Sequence, residues 1–200
     1  MYNNVQAGHY FNKHESTNLF IRMVVNKYRK TLQRLIVNLP ISSALEVGSG
    51  EGYILYYIQE VRPDILLIGS DISEEMVCLA RNRHREIIWC VAKAENLPFL
   101  DGSFDLVIAC EVLEHVLDPN IVLKQLRRVS KKFCIISVPE EPLWRILNIL
   151  RGKYLRNFGN TPGHVQHWSA SSISRLVKEY FDNIEVVKSV PWVFVRAIKN

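Results

Sequence analysis

Apolar residues early in the chain recur three and four positions apart: Leu19, Ile21, Val24, Val25, Tyr28, Leu32, Leu35 and Ile36. That spacing predicts an amphipathic helix over about 18–39, capped by Ser16 or Thr17 and stopped by Pro40. Beyond Pro40 the period changes. Short continuous apolar runs at 44–47, 65–69, 87–91, 104–110 and 133–138 alternate with helical stretches at 53–61, 74–83 and 120–129. Strands that are apolar on both sides and separated by helices predict a parallel sheet covered on both faces.

The rhythm then breaks. Pro139 and Pro142 bracket the end of the fifth run, an apolar helix follows at 143–150, and a loop rich in Gly, Asn and Pro covers 152–163. Ser169 or Ser171 caps a helix reaching about Phe181, and two last runs lie at 183–187 and 192–198. The link between those runs is too short for a parallel crossover, so they pair antiparallel. The expected organisation is one domain over 1–200. It has a helical cap at 1–40, a ligand-binding core at 41–139, a lid-like insertion at 140–168, and a closing helix and hairpin at 169–200.

Composition adds limits. With 48% hydrophobic and 22% charged residues, the chain is ordinary for a soluble globular protein, which excludes wholesale disorder. A chain of 200 residues buries about 70% of its unfolded surface without help from a disulfide or metal. No run approaches the roughly 18 apolar residues of a membrane span. Met1-Tyr2-Asn3-Asn4 shows no secretory pattern, so a cytoplasmic location is expected. Cys78, Cys90, Cys110 and Cys134 form no CxxC pair and lie in apolar runs, which predicts buried free thiols in a reducing compartment.

The net charge of +5 conceals an uneven pattern: +5 over 1–40, −9 over 41–118 and +9 over 119–200. An acidic centre between basic flanks is not the profile of a uniformly basic nucleic-acid binder.

The strongest local signal is Leu45-Glu46-Val47-Gly48-Ser49-Gly50-Glu51-Gly52-Tyr53, where a strand passes into a helix. Alternate glycines let the backbone turn tightly and approach a ligand with no Cβ in the way. Nineteen residues after Gly52, Asp71 ends the second run, where an acid accepts hydrogen bonds from ribose hydroxyls. The dinucleotide fingerprint would place its third glycine at Tyr53, which argues against a nicotinamide dehydrogenase. Glu46 suits a ligand with a cationic amino-acid end better than one with a pyrophosphate.

On these residues the chain resembles the class I S-adenosylmethionine-dependent methyltransferases, and within them the type 11, quinone-biosynthesis-like small-molecule group. Further support comes from Ala94-Glu95-Asn96-Leu97-Pro98-Phe99 followed by Asp101-Gly102-Ser103-Phe104-Asp105, and from Cys110-Glu111-Val112-Leu113-Glu114-His115. The resemblance implies a Rossmann-like seven-stranded α/β sheet, mostly parallel with an antiparallel last strand, and S-adenosylmethionine as cofactor. It implies that Glu46, Gly48, Ser49 and Gly50, with Gly52 behind them, surround the methionine part. Asp71 would hold the ribose, with Ile72 beside it on the cofactor, Ala94 and Glu95 would line the adenine, and Cys110 would touch the cofactor backbone. Many members carry an acid where this chain has Lys93, and lysine has only donors to offer the adenine amino group.

Glu111, Glu114 and His115 are spaced i, i+3 and i+4, which predicts one helical face at the carboxyl end of the fourth strand. His164 and His167 follow in Pro162-Gly163-His164-Val165-Gln166-His167. Three readings stand open. The group is structural; or His115, His164 or His167 is a general base; or Glu111, Glu114, His115 and His164 ligate a divalent ion. The last pattern is similar to one that small-RNA terminal 2′-O-methyltransferases use with a metal.

The segment 141–151 is apolar except for Glu141, Arg145, Asn148 and Arg151, and has three readings: a lid over an apolar or lipid-like acceptor, simple core packing, or a basic amphipathic helix on a membrane surface. The functional expectation is methyl transfer to an oxygen, nitrogen or carbon of a small molecule. A metal-dependent RNA methyltransferase and a non-catalytic S-adenosylmethionine-binding module are its alternatives.

Overall fold

Asn18 opens the first helix, α1 (Leu19–Ile36), in a computed structural model that describes residues 13–200. Its side-chain oxygen accepts from the backbone N–H groups of Phe20 and Ile21 at 3.0 and 3.2 Å, satisfying donors that a helix start leaves unpaired. The cap is therefore Asn18 rather than Ser16 or Thr17. The helix also ends at Ile36, short of the expected Leu39. Arg62 holds the next residues out of it by donating to the carbonyls of Leu39 and Ile41, each at 2.8 Å. Tyr10 and Phe11, which precede α1 in the chain, lie outside the described residues.

Seven strands follow: β1 (Ser43–Val47), β2 (Leu66–Asp71), β3 (Ile88–Val91), β4 (Phe104–Cys110), β5 (Ser130–Pro139), β6 (Asn183–Ser189) and β7 (Trp192–Ile198). They form one sheet in the order β3-β2-β1-β4-β5-β7-β6. The first five are parallel to one another, and β7 runs antiparallel to both β5 and β6. The side chains explain why β7 lies inside β6. Trp192, Val193, Phe194, Val195 and Ala197 are all buried, so β7 needs cover on both faces, whereas β6 is mostly exposed and tolerates an edge.

The helices α2 (Tyr53–Gln59), α3 (Glu74–Arg83), α4 (Pro119–Val129), α5 (Leu143–Leu150) and α6 (Ala170–Lys178) complete the architecture. Ser169 caps α6 through a reciprocal pair of bonds with Ser172, and the helix stops at Lys178 rather than near Phe181. Side chains of β4 separate by strand periodicity. Leu106, Ile108 and Cys110 join the core under α1, α2 and α3, while Val107 and Ala109 join the core under α4 and α6.

The expectation of buried thiols holds for Cys110 and Cys134. Cys78 is exposed and Cys90 half-buried, because both lie on peripheral elements; all four are free. Among the described residues no helix is long and apolar enough to cross a membrane. The chain runs outward from β1 to β2 and β3, then returns to β4 on the other side of β1. Such a reversal opens a crevice at the carboxyl ends of the central strands, where open α/β sheets bind ligands.

Candidate active site

The turn after β1 passes through three left-handed glycines, Gly48 (φ +72°), Gly50 (+51°) and Gly52 (+87°). The N–H groups of Gly48 and Ser49 both donate to the Ser70 carbonyl, at 2.8 and 2.9 Å. The N–H of Gly50 donates to Oδ2 of Asp71 at 2.8 Å, and Oδ1 of Asp71 accepts from the N–H of Ser73 at 2.9 Å. Asp71 thus holds the glycine turn against the start of α3. Each of its oxygens keeps a second lone pair for a ligand hydroxyl.

A Cβ at Gly48 would stand 2.5 Å from Val112 Cγ2, and one at Gly52 would stand 2.5 Å from Trp89 Cη2. At these two positions the missing Cβ also makes room for protein neighbours, and glycine allows the positive φ.

Glu46 is 1% exposed, and its Oε2 has no hydrogen-bond partner in the protein. Burial pushes its carboxyl well above the usual range, and the charge on Asp71 adds to this, against a lowering bond from the Leu55 backbone. The Ser49 hydroxyl is likewise buried without a partner. A buried carboxylate oxygen lacking a donor is costly unless a ligand supplies one. An α-ammonium group does so, and these residues therefore fit a cofactor with a cationic amino-acid end.

Cys110 is buried at the end of β4. Burial, then the nearby Glu46 carboxyl, pushes its thiol up to about 12, so it is a neutral lining group and no nucleophile. Beside it lies a residue whose role the helical periodicity hides. Tyr28 of α1 is 1% exposed and its hydroxyl is 2.7 Å from Ser137 Oγ at the end of β5. Burial, then Cys110 and Glu111, raises its phenol well above the ordinary value. Tyr28 and Ser137 read as core and strand in sequence, since nothing local marks a helical tyrosine as facing a distant strand end.

Farther along the crevice, Ile72 is 56% exposed immediately after Asp71. Ala94 and Glu95 form the corner of a turn closed by the Asn96 N–H donating to the Lys93 carbonyl at 3.0 Å. On the opposite side, the residues before α1 reach α2. His14 stacks on Tyr53 at 4.5 Å, and the Tyr53 hydroxyl donates to Glu15 Oε1 at 2.5 Å. Arg83 bonds both Tyr53 and Glu51.

The segment after β4 departs from expectation. Residues 111–118 form turns rather than helix, and Glu111 has φ +57°. The helical face predicted for Glu111, Glu114 and His115 does not exist. Its physical cause is the Glu111 N–H, which donates to the Ser137 carbonyl at 2.8 Å and so continues the sheet bonding past β4.

A different grouping results. The Glu114 carbonyl accepts from the N–H groups of Val165 and Gln166, at 2.8 and 3.1 Å, which brings the segment after α5 back to this turn. His115 Nδ1 lies 3.0 Å from the Gly163 carbonyl, and the His115 and His164 rings meet edge to face at 4.9 Å. One ligand atom from each of Glu114, His115 and His164 lies within 4.8 Å of the others. Glu111 is not in this group. His167 is turned away, with Nε2 at 3.0 Å from Asn160 Oδ1. The α5 side of the trio is built by Trp144, whose indole N–H donates to Thr161 Oγ1 at 2.9 Å and whose ring lies 5.5 Å from Trp192 and 6.4 Å from His164.

Residues 45–136 match the methyltransferase domain family model. The chain is similar to a demethylmenaquinone methyltransferase of Thermotoga maritima, 30% identical over 106 residues, covering 53% of this chain and 46% of that protein. It is also similar to a ubiquinone/menaquinone biosynthesis C-methyltransferase of Rickettsia prowazekii, 36% identical over 121 residues, covering 54% and 49%. The chain thus spans about half the length of the curated relatives it matches. In fold it is similar to a crystal structure of an S-adenosylmethionine-dependent methyltransferase from Thermotoga maritima, with TM-score 0.67, 23% identity and coverage of 89% and 92%. The matched glycine turn, the sheet order and the cation-seeking carboxylate agree: residues 45–136 match a methyltransferase domain, set on the fold of the S-adenosylmethionine-dependent methyltransferases.

Proposed function

We propose that this protein transfers a methyl group from S-adenosylmethionine to an oxygen, nitrogen or carbon of a small apolar or lipid-like acceptor. The observation that carries the reading is Glu46, a buried carboxyl with a partnerless oxygen beside the glycine turn. The names of the similar quinone-pathway enzymes support an apolar acceptor. The RNA methyltransferase alternative has no such support among them.

S-adenosylmethionine supplies a methyl already activated on a sulfonium, so the protein's task is orientation and exclusion of water. Glu46 and the Ser49 hydroxyl would bind the ammonium end. Asp71 would accept the ribose hydroxyls while holding Gly50, and Ile72 would pack on the adenine with Ala94 and Glu95 at its edge. Cys110 and Tyr28 would close the floor without carrying charge. The acceptor would enter between the turn 111–115 and the lid, against Trp144.

His115 is the base we assign. Donation from Nδ1–H to the Gly163 carbonyl would fix its tautomer and leave Nε2 to take the acceptor's proton. His164 would orient it, whereas His167 belongs to the Asn160 contact. A divalent ion on Glu114, His115 and His164 is the competing use of the same atoms. We place the protein in the reducing cytoplasm, a setting that four free cysteines suit.

Calorimetry with S-adenosylhomocysteine and with NAD tests the cofactor directly. Binding of the first and not the second is expected, and the reverse would end this reading. Binding without any S-adenosylhomocysteine production, across a mass-spectrometric screen of methylated cell extract, would instead mark a silent binding module.

A further inference from the structure

Helix α5 buries a polar residue and leaves several apolar ones exposed. The buried residue of α5 is Asn148, 3% exposed, whose amide donates to the Gly159 carbonyl at 2.9 Å and to Thr161 Oγ1 at 3.3 Å. Its apolar neighbours Ile146, Ile149 and Leu150 are turned outward, 48, 42 and 76% exposed. A helix on a water-facing surface shows the opposite arrangement.

The turn after α5 continues the same surface. Leu155 and Phe158 are 58 and 78% exposed. Phe158 has φ +49° and Tyr154 φ +54°, a costly conformation for a bulky side chain. Arg145 Nε donates to the Phe158 carbonyl at 3.2 Å, and the Gly159 N–H donates to the Tyr154 carbonyl at 3.0 Å. The loop is thus bonded in a form that displays an aromatic ring to the outside.

Along α5 and the turn after it the charged residues have one sign, the acids Glu140 and Glu141 lying before the helix. Residues 142–178 contain six Lys or Arg and no Asp or Glu, and four of the six, Arg145, Arg151, Lys153 and Arg156, lie within the lid. A protruding apolar group ringed by cations matches two properties of one partner. Acyl chains take the side chains, and acidic headgroups take the charges. Nucleic acid would use the charges and leave Leu150 and Leu155 in water.

We propose that the outer face of α5 and the turn after it docks the protein reversibly on an anionic lipid bilayer. The inference goes beyond the proposed reaction and uses a surface separate from the cofactor cleft. Where the acceptor is lipid-like, docking would set the lid at the membrane that holds it.

Co-sedimentation of the full chain with vesicles tests this. Binding to phosphatidylcholine vesicles containing phosphatidylglycerol is expected to exceed binding to pure phosphatidylcholine by about tenfold or more and to weaken with salt. Leu150→Ser with Phe158→Ser should lower the partition about tenfold, and Arg151→Gln with Arg156→Gln should do the same. S-adenosylhomocysteine binding, measured by calorimetry, should stay unchanged in both variants and shows that they fold. Failure of the unaltered chain to sediment with acidic vesicles overturns the proposal. So does an apolar variant that sediments as well as the original, or single-stranded RNA binding more tightly than acidic vesicles with no dependence on Leu150 and Phe158. Loss of cofactor binding with vesicle binding intact would strike the methyltransferase reading alone.

Discussion

Asp71 Oδ2 accepts the backbone N–H of Gly50 at 2.8 Å, across 21 residues of chain. The carboxylate that would hold the ribose also sets the loop that would hold the methionine end. One side chain therefore couples the two halves of the cofactor cradle.

Replacing Asp71 by alanine should weaken S-adenosylhomocysteine binding by about 10- to 100-fold, since charged hydrogen bonds contribute about 1.5–3 kcal/mol each. Asp71→Asn should recover part of the affinity, because its Oδ1 can still accept one of the two backbone donors. Calorimetry on both variants checks this; equal affinity in Asp71→Ala and the original chain would remove Asp71 from the site.

Glu46 should make the ligand-free protein sensitive to pH. Its folded carboxyl titrates above its unfolded value, first from burial and then from Asp71. A raised carboxyl contributes stability that is fully present below the unfolded pKa and is lost as pH rises through the folded one. Glu46→Gln should flatten that decline and raise ligand-free stability at neutral pH by about 1–3 kcal/mol, while lowering S-adenosylhomocysteine affinity. Urea unfolding across a pH series separates the two effects, and a variant less stable than the original at neutral pH would contradict the account.

Gly48→Ala should destabilise the fold by about 1–3 kcal/mol, from both a positive φ and overpacking against Val112. Val112→Ala in the same chain should relieve the steric part and leave the backbone part. Thermal unfolding of the single and double variants reads the difference, and no rescue would mean that the backbone cost dominates.

His115→Ala should lower the methylation rate by about 10²–10⁴ and remove one limb of its pH profile, whereas His167→Ala should leave both unchanged. A chelator is expected to have no effect. Loss of activity on chelation, with recovery on adding manganese or zinc, would transfer Glu114, His115 and His164 from proton transfer to metal binding.

The β–α alternation, the sheet, the glycine turn and Asp71 were legible because each rests on local spacing. The spans of β4 and α3 agree with their apolar patterns. The helical face assigned to Glu111, Glu114 and His115 was not sound. A spacing of i, i+3, i+4 carries meaning only inside a helix, and the Ser137 carbonyl takes the Glu111 N–H into a sheet contact instead. Tyr28 escaped notice for a related reason, since its partner Ser137 lies 109 residues away.

The amino-acid sequence alone therefore determined what periodicity and backbone chemistry encode locally: the class of fold, the turn that three left-handed glycines permit, and the uneven distribution of charge. Only the tertiary structure decided which groups meet. It joined His115 to His164, left Glu111 outside their group, gave the space beside Gly48 and Gly52 to Val112 and Trp89, and turned the apolar side of α5 outward. Those outcomes depend on hydrogen bonds and packing between residues far apart in the chain, and no local pattern records them.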